Sequence, residues 1–438
     1  MSLFINPDRF KADFDALAQI GGTRDGDGNR GVNRPSLSPE HLEARRWFLA
    51  RAAEAGLEAR VDPAGNHSAI LRAVAGANGG AQRGAHSNAT AGVRPRALLL
   101  GSHLDSVPNG GRFDGALGVL AALEAVRTIK DAGLALPLDL EVIDFTDEEG
   151  TLVGELGSAA LAGVLAPETL RQPRGGRQRL EEGLARAGLD ESRLLNAKRD
   201  RNTLAGYLEL HIEQGPRLMQ SAIAIGVVAG IVGITSYRLT YRGAANHAGT
   251  TPMEARQDAG LGASAFLLTA RQMVVRDFTD CVVNVGQVRF EPGAFNIIPG
   301  TAELALEFRA PEARRLADLE KSLLSLAEVI ARQFGLALGV EALGGCVPAP
   351  MSARAQAAIV AAADSLALSH TSLHSGAGHD AQSLAAITEV GMLFIPSRAG
   401  ISHSPREHSE WEACVNGANV LLRAALKMAE GYPGANLP

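Results

Sequence analysis

The chain has 438 residues, 46% of them hydrophobic, and a net charge of −6. That length exceeds one ordinary core, so two domains are the default. No apolar run nears the ~20 residues of a bilayer span, and no basic block offers a nucleic-acid surface. Met1–Phe10 has no basic region followed by an apolar core, so no signal peptide is expected. Cys281, Cys346 and Cys414 lie far apart without a C-x-x-C pair. They argue against a disulfide framework or zinc ribbon and suit a reducing, cytoplasmic setting.

Residues 5–20 and 39–56 read as helices, the second capped by Ser38 with Pro39 in its first position. Arg45 and Arg46 interrupt its apolar stripe. Gly21 to Leu37 reads as a long loop, Leu57 to Val61 and Ser68 to Val74 as strands, and Gly76 to Pro95 as a flexible Gly/Ala/Asn/Ser-rich loop. A strongly apolar run, Ala97 to Leu100, then leads into Gly101-Ser-His-Leu-Asp-Ser-Val-Pro-Asn-Gly-Gly-Arg-Phe-Asp-Gly115. A helix, Leu117 to Ile129, leads away to a second strand, Leu138 to Phe145, which ends in Thr146-Asp-Glu-Glu-Gly150. Strand, helix and buried strand make a parallel βαβ unit. Ligands of open α/β sheets gather at the carboxyl ends of strands, where both acidic loops fall.

Residues 158–200 read as charged, solvated helices. Tyr207 to Pro216 is strand-like with polar residues set into it. From Gly226 the composition shifts to strand (to Arg242), helix (Gly260 to Arg271), strands (Cys281 to Phe290, Thr301 to Arg309), helix (Ala313 to Phe334) and strand (Leu336 to Leu343). That order resembles a split βαβ, ferredoxin-like domain. It would interrupt the first domain, giving residues 1–228, an inserted 229–344, and a return at 345–438. The last part alternates helix from Ala353, loop (Ser375 to Asp380), strand (Gly391 to Ile395), loop and final helix from Glu410.

His103, Asp114, Glu148, Glu149, His211 and His403 are the candidates for metal and acid/base work. A lone loop His is more often a satisfied polar residue, and a Glu-Glu pair more often a solvated helix start. Most of these groups, however, sit where predicted strands end, and together they reverse that balance. Zinc takes imidazole nitrogen and carboxylate oxygen, and a carboxylate between two ions offsets their repulsion. Of the adjacent glutamates, one bound to a metal stays ionised while its neighbour can accept a proton from water. Asp105, two residues from His103, is placed to accept the other ring N–H and fix the tautomer. No G-x-S-x-G, H-E-x-x-H, P-loop or strand-linked G-x-G-x-x-G is present.

The stretch 101–115, with Asp147-Glu-Glu-Gly150, Leu210-His-Ile-Glu-Gln-Gly-Pro216, Asn246-His-Ala-Gly-Thr-Thr-Pro-Met253, Phe295-Asn-Ile-Ile-Pro-Gly300, Ser375-Gly-Ala-Gly-His-Asp-Ala381 and Ser402-His-Ser-Pro-Arg-Glu407, resembles the hydantoinase/carbamoylase branch of the M20 metallopeptidase superfamily. The likeness runs from about residue 40 to the C-terminus. It departs after Gly150, where Thr151-Leu-Val-Gly-Glu-Leu156 replaces the family's usual Arg-Phe before Gly-Ser.

The resemblance implies a zinc-peptidase-like α/β catalytic domain, its mixed central sheet flanked by helices, with the inserted domain serving as lid and dimerisation domain. It implies two divalent ions per subunit, zinc foremost, with manganese, cobalt and nickel also compatible with the donors. His103, Asp114, Glu149, His211 and His403 would be ligands, Asp114 bridging, and Glu148 the general base. His247 would act across a homodimer interface on the developing oxyanion. Asn296 and Arg309 would clamp a substrate carboxylate, with Gln214, Gly378 and His379 as further substrate groups. A guanidinium offers the planar fork such a clamp needs, although a surface ion pair is the ordinary role of such an Arg. The expected activity is hydrolysis of an N-carbamoyl-L-amino acid to amino acid, ammonia and carbon dioxide. Allantoate amidohydrolase and β-ureidopropionase are alternatives, and a dipeptidase, an aminoacylase or a non-catalytic metal-binding relative lie further off.

Overall fold

The computed structural model describes residues 3–73, 95–430 and 432. All but the last residue of the Gly-rich stretch 76–95 lies outside the described residues. The chain forms two compact units: Met1–Ala229 with Met351–Leu373 and Gly378–Pro438, and Gly230–Pro350 with His374–Ala377.

In the first unit, Val390–Ile395, Leu204–Ile212, Ala97–His103 and Asp139–Phe145 are neighbouring parallel strands in that order. His67–Leu71 and Glu58–Val61 extend the sheet antiparallel. It is the mixed sheet expected. Parallel strands are covered on both faces, and these four are buried along their whole length. The helices Ala116–Asp131, Ala353–Ser365 and Trp411–Glu430 share one core with them, through Leu100, Leu120, Leu123, Leu208, Ile359, Leu393 and Leu421. Each such side chain contributes about 1.5–3 kcal/mol by burial.

Arg45, which broke the stripe of its helix in sequence, is fully buried. Its Nε donates to Asp144 Oδ2 at 2.8 Å and its Nη2 to the Phe145 carbonyl at 3.1 Å and Thr146 Oγ1 at 2.9 Å. Asp144 Oδ1 accepts the Leu104 N–H at 2.7 Å. One buried pair therefore ties the ends of two adjacent parallel strands, just where their acidic loops begin. Removing one partner of such a pair typically costs about 3–5 kcal/mol, because the other charge is left buried.

Two stretches differ from the sequence expectation. Within the loop 21–37, Gly22–Arg24 and Arg30–Val32 pair as a short hairpin. Its turn is held by the Asp25 carboxylate, which accepts the Asp27 and Asn29 N–H groups at 3.0 and 2.8 Å. Three-residue strands are too short to show periodicity. The segment 158–200 is not only a solvated face: Leu180, Leu184 and Leu194 form a core of their own with Leu37, Leu152 and Leu156.

The second unit holds an antiparallel sheet in the order Val282–Glu291, Thr301–Ala310, Gly233–Arg242, Ala337–Cys346. Numbered along the chain and read from the last strand, this is 4-1-3-2, the split βαβ order. Strand Thr301–Ala310 alternates buried and half-buried residues. Ala302, Leu304, Leu306 and Phe308 meet Leu319 and Leu323 of helix Ala313–Gln333 and Phe266 of helix Ala259–Asp277. This unit reaches past residue 344 because its last strand runs to Cys346. It takes in His374–Ala377 because the Ser375 carbonyl accepts the Val232 N–H at 3.0 Å and the Gly376 carbonyl accepts Arg309 Nη1 at 2.6 Å.

Candidate metal centre and active site

Four parallel strands pointing one way deliver their loops to one edge of the first unit. His103 is the last residue of its strand, and His211 the last but one of the neighbouring strand. Glu148 and Glu149 follow Asp139–Phe145, and His403 lies in the loop after Val390–Ile395.

The histidines are oriented through their Nδ1 atoms. His103 Nδ1 lies 3.0 Å from the Asp105 carbonyl oxygen, and His211 Nδ1 lies 2.9 Å from that of Ile212. Donation there leaves each Nε2 with its lone pair, and that of His211 accepts the Gly115 N–H at 3.3 Å. The orienting group at Asp105 is thus its main chain. Its carboxylate stands 3.8 Å from His103 Nδ1 and instead accepts the Glu149 N–H at 3.4 Å. His103 Nε2 is buried without a hydrogen-bond partner, 3.6 Å from Asp114 Oδ1 and 3.5 Å from Glu148 Oε2.

Asp114 is the centre of the cluster. Its Oδ1 is 3.0 Å from His211 Nε2, and its Oδ2 is 3.4 Å from His403 Nε2, which is also 3.4 Å from Glu149 Oε2. Two groups result, His103–Asp114–His211 and Asp114–Glu149–His403, each with its ligand atoms within 4.8 Å of one another. An ion bound at ~2.1 Å needs tetrahedral ligand atoms roughly 3.4 Å apart, so both groups fit with small closure. A third group, Glu209, His211 and His379, is equally close. There the Glu209 carboxylate is already engaged, by Ser102 Oγ at 2.9 Å, Tyr207 Oη at 3.1 Å and the Ala381 N–H at 3.3 Å.

The charges agree with a cation site. Burial would raise the Asp114 carboxyl, but His211, His103 and His403 outweigh it and hold it well below the usual range. Hydrogen bonding to Asp114, with Glu149 nearby, lifts His403 to about 9. Burial pushes Glu148 well above the usual carboxylate range; His103 opposes this, while Asp380, Glu149 and Asp114 add to it. The carboxylates thus demand positive charge, supplied by protons on the imidazoles or by divalent cations that displace them.

Backbone conformation aims these groups. Asp147 has φ +59°. Its carboxylate accepts the N–H groups of Leu152, Val153 and Gly154 at 3.0, 2.5 and 2.9 Å, closing the turn that presents Glu148 and Glu149. Gly115 has φ +63°, and a Cβ there would lie 2.3 Å from the His103 ring. Only glycine lets the Asp114 backbone approach that closely. Asp147 and Glu407 carried no role in the sequence reading, though Glu407 ends the quoted Ser402–Glu407 motif and Asp147 opens Asp147–Gly150.

The remaining candidates divide between the units. Gln214 Nε2 donates to Asp114 Oδ2 at 2.9 Å and to Ser402 Oγ at 3.2 Å. His379 is buried edge-on to His211, with ring centroids 4.6 Å apart, and follows Gly378 directly. His247, Asn296 and Arg309 belong to the second unit. His247 and Asn296 are exposed neighbours: the Ala248 N–H donates to the Asn296 carbonyl at 3.0 Å, and His247 bridges to Ile297. The Arg309 guanidinium donates to Glu307 Oε1 at 3.0 and 2.7 Å as well as to Gly376.

A strand-end cluster of imidazoles around one central carboxylate, beside the largely buried Glu148, is a set of groups that could hold divalent metal ions. Residues 99–427 match the model of peptidase family M20/M25/M40. The chain is 38% identical over 403 residues to an N-carbamoyl-L-amino acid amidohydrolase of Geobacillus stearothermophilus, covering 92% of this chain and 94% of that one. It is 31% identical over 417 residues to an allantoate amidohydrolase of Bacillus subtilis (strain 168), covering 94% and 95%. Among solved structures, a hydantoinase/carbamoylase family amidase of Burkholderia multivorans is 32% identical with a TM-score of 0.84, covering 98% of this chain and 99% of that one. The chain belongs to peptidase family M20/M25/M40 and is an enzyme that hydrolyses amide carbon–nitrogen bonds. Among its described residues, no helix is long and apolar enough to cross a membrane.

Proposed function

We propose that the chain is a cytoplasmic, binuclear N-carbamoyl-L-amino acid amidohydrolase. The observation that carries this reading is the sharing of Asp114 between two three-ligand groups, His103–Asp114–His211 and Asp114–Glu149–His403. Divalent ions held there, zinc first among those these donors accept, supply charge that polarises the carbamoyl carbonyl and acidifies water. The Asp105 carbonyl keeps His103 in the tautomer that offers Nε2. Glu148 takes a proton from the attacking water and returns one to the leaving nitrogen as the carbamoyl carbon–nitrogen bond breaks. Cleavage at the amino-acid nitrogen gives the amino acid and carbamic acid, which breaks down to ammonia and carbon dioxide. Gln214, already bonded to Asp114, and the Gly378-His379 pair are assigned to the substrate side of the cluster.

Asn296 and Arg309 are assigned to the substrate carboxylate. Arg309 would exchange part of its bonding to Glu307 and Gly376 for it. Arg309→Ala is expected to raise KM by about 10-fold or more for carboxylate-bearing substrates, the ~1.5–3 kcal/mol of a hydrogen bond to a charged group. An unchanged KM would remove the clamp. The reading as a whole is tested by ammonia release from N-carbamoyl-L-methionine, N-carbamoyl-β-alanine, allantoate and a dipeptide. Preference for the first supports it; preference for allantoate, which also bears a carboxylate, would make the chain an allantoate amidohydrolase.

A homodimer is part of the proposal. Strand Val282–Glu291 is a sheet edge in the second unit and exposes Val282, Val288 and Phe290. Helix Ala259–Asp277 exposes Leu261, Leu268 and Val275 at intervals of seven. An open edge beside apolar side chains supports pairing with a second copy. His247 is then assigned to the partner's reaction centre, as donor to the developing oxyanion. Mixed dimers of His247→Ala and Glu148→Ala subunits should recover activity that neither homodimer has. No recovery would place His247 outside the shared site.

A further inference from the structure

Glu407 is a buried carboxylate that the mechanism does not use. Its Oε1 accepts the N–H groups of Phe113 and Asp114 at 2.9 and 3.1 Å, and its Oε2 lies 2.8 Å from Ser402 Oγ. Ser402 Oγ is also 3.0 Å from Asp114 Oδ2. The carboxylate sits against Gly111, where a Cβ would come within 1.9 Å of Glu407 Cδ. A loop that has no room for any side chain at that point has been built around this group.

These contacts fall unevenly on the two ion positions. His103 and His211 stand on strand ends, each oriented by a nearby main-chain carbonyl. Neither depends on Glu407. Asp114, on the segment that Glu407 grips, is common to both groups, but His403, which belongs only to the second, lies in the loop between Ser402 and Glu407. His403 has φ +54° and is exposed, so little besides this loop holds it.

Resting on the binuclear reading above, we propose that Glu407 is a positioning residue that creates the Asp114–Glu149–His403 ion position, by tying the loop of Asp114 to the loop of His403. Without it the His103–Asp114–His211 position persists while the second one opens. The chain is then a one-ion protein at free metal levels where the native protein holds two.

The test is zinc content at buffered free Zn2+, with circular dichroism as a check of folding. Wild type should hold two zinc ions. Glu407→Ala should hold one, refilling the second only at about 10–100-fold higher free zinc, the usual cost of losing a group that orients ligands. Glu407→Gln, whose amide oxygen can still accept the Phe113 and Asp114 N–H groups, should restore two. Adding Glu407→Ala to Glu149→Ala should cost no further zinc. Two ions of native affinity in Glu407→Ala, parallel loss of both, or failure of Glu407→Gln to restore the second would overturn the proposal. If Glu407→Ala does not fold, Ser402→Ala decides, since it removes the hydroxyl that stands between the Glu407 and Asp114 carboxylates, together with its bond from Gln214, and leaves the Glu407 grip on the Phe113 and Asp114 N–H groups in place. Selective weakening of the second ion upholds the proposal and native affinity overturns it. A wild type holding fewer than two zinc ions, or a His211→Ala variant still holding two, would instead bring down the binuclear reading itself.

Discussion

Glu148→Gln is expected to lower kcat by about 10²–10⁴-fold, the usual contribution of a positioned general base, while zinc content stays at the wild-type value. Glu148 is in neither three-ligand group, so its loss empties no ion position. Its side chain is only 10% exposed and its Oε2 lies 3.5 Å from His103 Nε2, at the rim of the cluster. Burial, with Asp380, Glu149 and Asp114 nearby, pushes its carboxyl well above the ordinary range. A carboxyl shifted upward in this way at the rim of the cluster is a candidate for acid/base work. The amide of glutamine keeps the shape and hydrogen bonds but takes no proton. Ammonia release and zinc content measured on one preparation decide the matter. A loss under about 10-fold would deny Glu148 its role as base, and a loss of zinc would make it a ligand.

Asp114→Ala should be more damaging, and in a different way. Both ion groups lose a ligand at once, so zinc content falls by at least one ion and activity by about a thousandfold or more, the several kcal/mol that metal polarisation supplies. His211, His403, Gln214 and Ser402 all lose the oxygen they face. Groups left buried without a partner cost about 1–3 kcal/mol each, so thermal stability should fall too. Glu149→Ala is the control, since only one group contains Glu149. Equal zinc loss in the two variants would deny Asp114 its shared position.

Much of the site could be read along the chain because parallel βαβ architecture obeys strong local rules. A buried run such as Ala97–Leu100, a helix and a second buried run leave little choice of geometry. The residues that follow each run must then reach one edge of the sheet. His103, Asp114, Glu148 and Glu149 all belong to that single unit. The mixed sheet and the flanking helices follow from the same pattern. The short hairpin at 22–32 was not legible, because three-residue strands held by an Asp25 turn carry no hydrophobic period.

Other features depend on which atom of a residue comes close, and no pattern of residue types encodes that. Asp105 orients His103 through its carbonyl, because the chain turns back under the ring. Arg45 looks like a fault in an apolar stripe until Asp144 is found beside it, 99 residues away. Glu407 reaches the Phe113 amide across 294 residues. By itself the sequence determined the kinds of groups present and the strand ends they occupy, since hydrophobic burial and strand direction are properties of short segments. That Asp114 would be shared was implied in the sequence only by the family resemblance; the tertiary structure brings it within reach of two groups that could each hold an ion, and it alone decided that Glu407 would join the loops of Asp114 and His403. Such convergence depends on packing among distant segments, to within a fraction of an ångström.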